Sequence, residues 1–368
     1  MQRNLERTIW IATIAIMIMG LVALYSASFE NVRVAQSIFY DQLICALTGL
    51  AVMLFLKNFD HRKFYDLAYI LYVFNIVLLV LVLVVGRHIL GAKRWIEIGN
   101  LNFQPSEPIK LVMIFVLARY FSRQKISFST RRRGSIEILT RELLFPFFLT
   151  AIPMLLVFKQ PDLGTAILLF SIFIVMLFVS GIRYRHVIFF LGICAAMLPV
   201  AWHFLKSYQK ARLMVFLNPN IDPLGAGYTI IQSKIAVGSG MLFGKGWILG
   251  TQNQLNFLPE RHTDFIFSVI GEEWGLFGTL LLIFCFFVLV DCGLTIAKHT
   301  KDRFGFSIAA GVASILALQV IINVGMVLGL FPVVGLTLPL VSYGRSSFIT
   351  FVAMIGLLLN LNKKRTVF

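Results

Sequence analysis

Charge is scarce in this chain, and acidic charge is scarcest. Only 14% of the 368 residues are charged, with 17 Asp and Glu against 33 Lys and Arg. A soluble domain cannot hide a 58% hydrophobic composition behind so thin a charged surface, so soluble classes are excluded. Cysteine is rare too. Cys45, Cys194, Cys285 and Cys292 lie inside apolar runs without CxxC spacing, which argues against disulfide or metal roles and leaves small buried hydrophobes. No second His stands at ligand spacing from His262, so a zinc site is not expected. Gly238-Ser-Gly240 and Gly244-Lys-Gly246 follow no strand and match neither a Walker loop nor a dinucleotide fingerprint. There is no internal repeat and no low-complexity tract. The net charge of +16 has no aromatic-rich basic module beside it, so nucleic acid is not an expected partner.

What the chain has instead is long apolar runs, with a mean hydropathy of +0.85. They fall at about 8–26, 39–56, 64–85, 108–121, 143–158, 165–182, 187–205, 264–297, 305–331 and 346–361. The expected fold is all-α: one polytopic membrane domain over 1–368 with about ten transmembrane helices. The first run follows a basic stretch and precedes Tyr25-Ser-Ala-Ser28, much as in a signal peptide, but it is long enough to cross a bilayer and is read as a retained helix. The eighth run is long, with a kink or tilt expected at Gly271 and Gly275.

Lys and Arg collect in alternate loops. Arg3 and Arg7, Lys57 to Lys63, the 122–142 loop with Arg131-Arg-Arg133, Arg183 and Arg185, Lys298 to Arg303, and Lys363 to Arg365 all fall on one side. That side is the cytoplasmic one, so both termini are expected inside and the long 206–263 loop, between helices seven and eight, outside. Tyr228–Val237 within that loop reads as a helix on or in the outer leaflet.

Three acidic motifs stand at outer helix ends. Glu107 lies in Asn102-Phe-Gln-Pro-Ser-Glu-Pro108, with Lys110 one turn on along the same face. Asp162 lies in Lys159-Gln-Pro-Asp-Leu-Gly-Thr165. Asp264 closes Phe257-Leu-Pro-Glu-Arg-His-Thr-Asp264 at the mouth of the eighth run. Helix capping accounts equally well for Asp162, and an internal ion pair for Glu107 and Lys110. Asp264 differs, because Glu260, Arg261 and His262 crowd it and a cap needs no such company. Costly ionisable groups at a membrane boundary mark chemistry or a substrate path. Glu272 and Glu273, deeper in the eighth run, read as polar groups lining a protein interior.

These motifs, with Gly91-Ala-Lys-Arg-Trp-Ile96, Asp222-Pro-Leu-Gly-Ala-Gly-Tyr228, Ile231-Gln-Ser-Lys-Ile-Ala-Val-Gly-Ser-Gly240 and Pro339-Leu-Val-Ser-Tyr-Gly344, resemble the SEDS family (shape, elongation, division and sporulation) over nearly the whole chain. Lys234 and Arg261 resemble its elongation branch more than its division branch. The family usually continues Ser-Tyr-Gly-Gly-Ser, whereas Arg345 stands here, either adding a phosphate contact or facing water.

The resemblance implies a peptidoglycan glycosyltransferase that polymerises lipid II during elongation, at the outer face of the bacterial cytoplasmic membrane. It implies a class B penicillin-binding protein and other elongation-complex membrane proteins as partners, and undecaprenyl pyrophosphate as product. The α-linked donor and β-1,4 product require inversion. One carboxylate must take the acceptor's proton, and cations can stabilise the pyrophosphate in place of a general acid. Asp264 is the candidate base. Lys110, Lys206, Lys210, Arg212, Lys234, Lys245 and Arg261 are the expected outer cations, Lys234 and Lys245 foremost for the pyrophosphate. Glu107, Asp162, Glu260, His262 and Ser342 are the supporting candidates. A divalent cation such as Mg or Mn could share the leaving-group role, with no diagnostic ligand set. The rival reading is a lipid II flippase, which would need access from both leaflets, whereas these motifs cluster on one side.

Overall fold

The computed structural model describes residues 2–364 apart from 30–31, 90–91, 100, 124–142, 183, 198, 200–201, 204–206, 224 and 226. The Arg131 to Arg133 cluster and Lys206 lie outside the described residues. A helix stands at each of the ten apolar runs. They are α1 Gln2–Ala27, α2 Val32–Asn58, α3 His61–Val85, α4 Pro108–Arg123, α5 Phe145–Lys159, α6 Leu163–Val179, α7 Tyr184–Ala196, α11 Ile266–His299, α12 Arg303–Val327 and α13 Arg345–Lys364. Among the described residues, six of these (α1, α2, α3, α11, α12 and α13) are long and apolar enough to cross a membrane. Between α7 and α11 lie α8 Ser207–Leu217, a 3₁₀ turn Pro219–Ile221, α9 Tyr228–Ser239 and the short α10 Thr251–Gln254. The helix expected over Tyr228–Val237 is α9, two residues longer.

Apolar sequence alone does not say which helix faces lipid and which faces protein. Burial does. In α13 83% of the most apolar window is buried, and in α12 67%, against 28% in α2 and α3. Helices α12 and α13 are therefore central, and α13 packs chiefly on α2 and α12 chiefly on α11. Residues such as Phe55, Phe74, Val84, Phe284 and Phe287 point outward as the hydrocarbon-facing coat.

One element departs from an all-α reading. β1 Arg87–Ile89, β2 Ala92–Ile98 and β3 Leu101–Phe103 form an antiparallel meander, with Ile96 opposite Phe103 and Ile98 opposite Leu101. The signal was Gly99-Asn100 between two short alternating runs, a two-residue hairpin pattern, and Gly99 takes φ +62°.

The expected kink in the eighth run is at Gly275, whose φ of 64° and ψ of −159° break α11. A break frees backbone groups that apolar surroundings cannot satisfy. Here the loop after α9 meets them. The amides of Lys245 and Gly246 donate to Glu272 O and Glu273 O at 2.9 and 3.0 Å, and those of Leu276 and Phe277 donate to Met241 O and Leu242 O at 2.9 and 3.2 Å. Gly244, at φ +80°, lets the loop approach: a Cβ there would stand 2.0 Å from Glu273 O.

Candidate active site

The site forms where two loops meet above α12. One is 257–265, leading into α11. The other is 331–344, leading into α13. Ser342 joins them, donating Oγ to Thr263 O at 2.5 Å while accepting from Leu338 N at 2.8 Å. Tyr343 N donates to His262 O at 2.9 Å. Ser342 thus holds the site together through backbone contacts.

Asp264 sits at the centre of this junction, half-buried. Helix α11 starts after it, at Ile266, with Phe265 in the N-cap position and no side-chain cap, so Asp264 is not a capping residue. Gly335 of the facing loop takes φ +71°, and a Cβ there would lie 3.4 Å from Asp264 Oδ2. Burial pushes the Asp264 carboxyl up to about 7, Glu260 and Asp162 add to the shift, and Arg94 and Arg212 oppose it. The structure thus brings Asp162 and Arg212, both distant in sequence, within electrostatic reach of Asp264, alongside its sequence neighbour Glu260. It adds Arg94, which the sequence reading quoted in a motif without giving it a role. Arg94 is carried by β2, so the overlooked sheet and the overlooked cation are one omission. It donates Nε to Gln160 O at 3.2 Å and an Nη to Pro161 O, which ties it to the loop that carries Asp162.

Glu260 adopts φ +50° and accepts from Thr263 Oγ1 at 3.0 Å. Burial lowers the His262 pKa, while Glu260 works against that and Arg261 reinforces it.

Asp162 caps α6, accepting from Thr165 N at 3.1 Å and Thr165 Oγ1 at 3.0 Å. It also meets Ser106 Oγ and Gln104 Nε2, both at 3.4 Å, so the motifs ahead of α4 and α6 touch. Glu107 and Lys110 form a buried pair at 2.7 Å, with Lys110 fully enclosed, 3.1 Å from Gln319 Oε1 and over the Phe351 ring.

The outer cations divide sharply. Lys234 is exposed and lies across the turn at Gly329, where a Cβ would stand 2.2 Å from its Cε. Arg212 is exposed, and its Nη1 reaches Val333 O at 3.3 Å. Lys210 lies over the Trp202 ring. Lys245, expected beside the pyrophosphate, is instead paired with the fully buried Glu272 at 2.7 Å and donates to Thr251 Oγ1 at 2.8 Å. Arg261 is likewise engaged, donating to Ala27 O at 2.7 Å, to Asn253 O at 2.8 Å and to Asn256 Oδ1. Both cations staple loop to scaffold, because a buried carboxylate and orphan carbonyls need donors more than a solvated ligand does. Arg345 is partly exposed and already has a carboxylate partner. It pairs with Asp41 of α2 at 2.7 Å. Glu272 and Glu273 line the interior as expected, with Ser26 Oγ donating to Glu273 at 2.5 Å.

Among the described residues no cluster of three or more His, Cys, Asp or Glu could hold a metal ion.

A profile of the FtsW/RodA/SpoVE family, described as cell cycle protein, matches residues 6–367. The peptidoglycan glycosyltransferase MrdB of Escherichia coli K12 is 40% identical over 363 residues, covering 98% of this chain and 94% of that one. Stage V sporulation protein E of Bacillus subtilis is 39% identical, covering 96% and 95%, and peptidoglycan glycosyltransferase RodA of Treponema pallidum is 30% identical, covering 96% of each. Among solved structures, a chain from a study of coordinated polymerization and crosslinking by a peptidoglycan synthase complex superposes with a TM-score of 0.81 at 34% identity, covering 98% of each chain. The rod shape determining protein RodA of Thermus thermophilus superposes at 0.71 with 31% identity, covering 97% of this chain and 96% of that one.

Proposed function

The chain belongs to the FtsW/RodA/SpoVE family and is a peptidoglycan glycosyltransferase of the RodA type, and on that premise we propose that Asp264 is the general base of lipid II polymerisation. The observation that carries this is the carboxylate itself. It caps nothing, it stands at a loop junction, and its pKa is raised to about 7, where a base is both available and strong enough.

The reaction follows from that placement. Asp264 takes the proton from the acceptor sugar's 4-hydroxyl as its oxygen attacks C1 of the donor. The C1–O bond to pyrophosphate breaks on the opposite face, and the α linkage becomes β-1,4. The electron pair leaves on undecaprenyl pyrophosphate. Lys234 and Arg212, exposed cations near the loop junction, stabilise that charge as it develops. Arg94 tempers the field that Glu260 and Asp162 impose on the base.

The chain is a multi-pass membrane protein. We place it in the bacterial cytoplasmic membrane, with both termini inside and the loop junction at the outer face. The alternation of basic loops supports this placement. A class B penicillin-binding protein is the proposed crosslinking partner, supported by the likeness to a chain from a peptidoglycan synthase complex. The test is polymerisation of fluorescent lipid II by the purified protein with that partner. Wild type should make glycan and Asp264→Asn none. Glycan synthesis by a folded Asp264→Asn protein would sink this mechanism, and lipid II transfer between leaflets without polymer would favour the flippase.

A further inference from the structure

Asp264 is held from below by a helix that supplies no reactive group. Helix α12 carries Gln319 and Asn323 four residues apart, on one face, both fully enclosed. Asn323 Nδ2 spends both its hydrogens. One goes to Asp264 O at 2.9 Å, the other to Leu336 O at 2.6 Å. A single amide therefore ties the backbone of the base to the loop that faces it. One turn earlier, Gln319 Nε2 donates to Thr337 O at 2.9 Å, the next carbonyl along that loop. Gly335, where a Cβ would lie 3.4 Å from Asp264 Oδ2, immediately precedes the two anchored residues.

The orientation of Gln319 is imposed. Its Oε1 accepts from Lys110 Nζ at 3.1 Å. A lysine ammonium has three donors and no acceptor, so only the carbonyl end of the amide can face it. The donor end must then face Thr337. Lys110 is itself fixed by Glu107 at 2.7 Å. Asn323 Oδ1 meets no donor among the described residues, so its two carbonyl acceptors set its orientation.

We propose that Gln319 and Asn323 are positioning residues that set the height of the Asp264 carboxylate against the 335–338 loop, and that the Glu107–Lys110 pair serves the reaction by locking the Gln319 amide. This rests on Asp264 being the base. Displacing a reacting group by about 1 Å can cost about 100-fold in rate, so bonds to its own backbone matter. It also gives the buried Lys110 a task that needs no contact with substrate.

The experiment measures kcat, KM for lipid II and the pH–rate profile of the full chain with its partner, for Gln319→Met, Gln319→Glu, Asn323→Leu, Lys110→Met and the double variant Lys110→Met/Gln319→Met. Lipid II binding and thermal stability are measured alongside. Gln319→Met and Asn323→Leu should lower kcat about 10- to 100-fold, with KM within about threefold and the acidic limb of the profile displaced. Gln319→Glu keeps the Lys110 bond but loses the donor to Thr337, and should fall as far as Gln319→Met. The double variant should be no worse than the weaker single one, since both act through one amide. Wild-type kcat and an unmoved limb in Gln319→Met and Asn323→Leu, with Asp264→Asn inactive, overturns the proposal and leaves the base in place. Losses in kcat matched by equal losses of lipid II binding and of stability assign the amides to fold maintenance and also overturn it. Activity in Asp264→Asn is the separate failure, that of the base.

Discussion

Asp162 and Asp264 occupy the same kind of place, one or two residues ahead of an apolar helix, and the fold treats them in opposite ways. Asp162 accepts four side-chain and backbone donors, from Thr165 twice, Ser106 and Gln104. Asp264 has its backbone carbonyl held by Asn323, while its helix starts without its carboxylate. Among the described residues, one carboxylate is satisfied and the other is kept available. Position relative to a helix therefore does not separate structural from reactive acids. The difference lies in how many donors the surroundings commit to the oxygens.

The contrast is broken most severely at the base. Asp264→Asn should lower polymerisation by about 10²–10⁴-fold, the usual range for losing a general base. Asp162→Asn keeps an oxygen to accept from Thr165 N and should retain most activity. Glycan yield from fluorescent lipid II reads both, and equal losses would erase the distinction. Next come the two lysines. Lys234→Ala removes an exposed cation proposed to meet the pyrophosphate and should weaken lipid II binding by about 1.5–3 kcal/mol, the scale of a charged hydrogen bond. Lys245→Ala should instead lower the melting temperature, by about 1–3 kcal/mol of stability, because it leaves the enclosed Glu272 short of a donor. A Lys245→Ala protein with normal stability and lost lipid II binding would return that lysine to the pyrophosphate.

A finer cut comes from pH. Asp264 must be ionised to act as base, so the rate should rise with pH through about 7. Glu260 raises the Asp264 pKa, so Glu260→Gln should move that limb to lower pH. Arg212 lowers it, so Arg212→Gln should move the limb to higher pH. Shifts in the same direction would show that neither acts through charge. The smallest effect is expected from Arg345→Gly. Its pair with Asp41 is partly solvated, with exposures of 25% and 33%, and such pairs contribute about 0–1 kcal/mol. A thermal shift beyond that range would make it a structural latch peculiar to this chain.

Much of the fold was legible because apolar length is itself the physical requirement for crossing a bilayer, and a helix stands at each apolar run, although the helix at 187–205 ends at Ala196 and the one at 39–56 begins at Val32. The break at Gly275 was legible because glycine in a long apolar run marks where a helix can yield. The meander at 87–103 was missed because short strands carry weaker periodicity than helices. Asp264 stood out by the charges crowded around it in sequence. Arg94, Gln319 and Asn323 did not, since their significance is a distance to a residue at least 55 positions away. Lys245 was read incompletely for the complementary reason. Small neighbours suggested room for a ligand, while its carboxylate partner lay 27 residues on, invisible until the break in α11 folded the two together.

That break has a consequence for how this region of the protein can change. Surface loops ordinarily tolerate insertions, because their backbone groups can turn to water. The stretch 241–246 cannot, since four of its bonds complete the interrupted ladder of α11 in a fixed register. One added residue would offer donors where acceptors are needed and leave the peptide groups on either side of Gly275 without their partners. Variation in length across relatives of this chain should therefore fall elsewhere between α7 and α11, and this segment should keep its residue count even where its side chains drift.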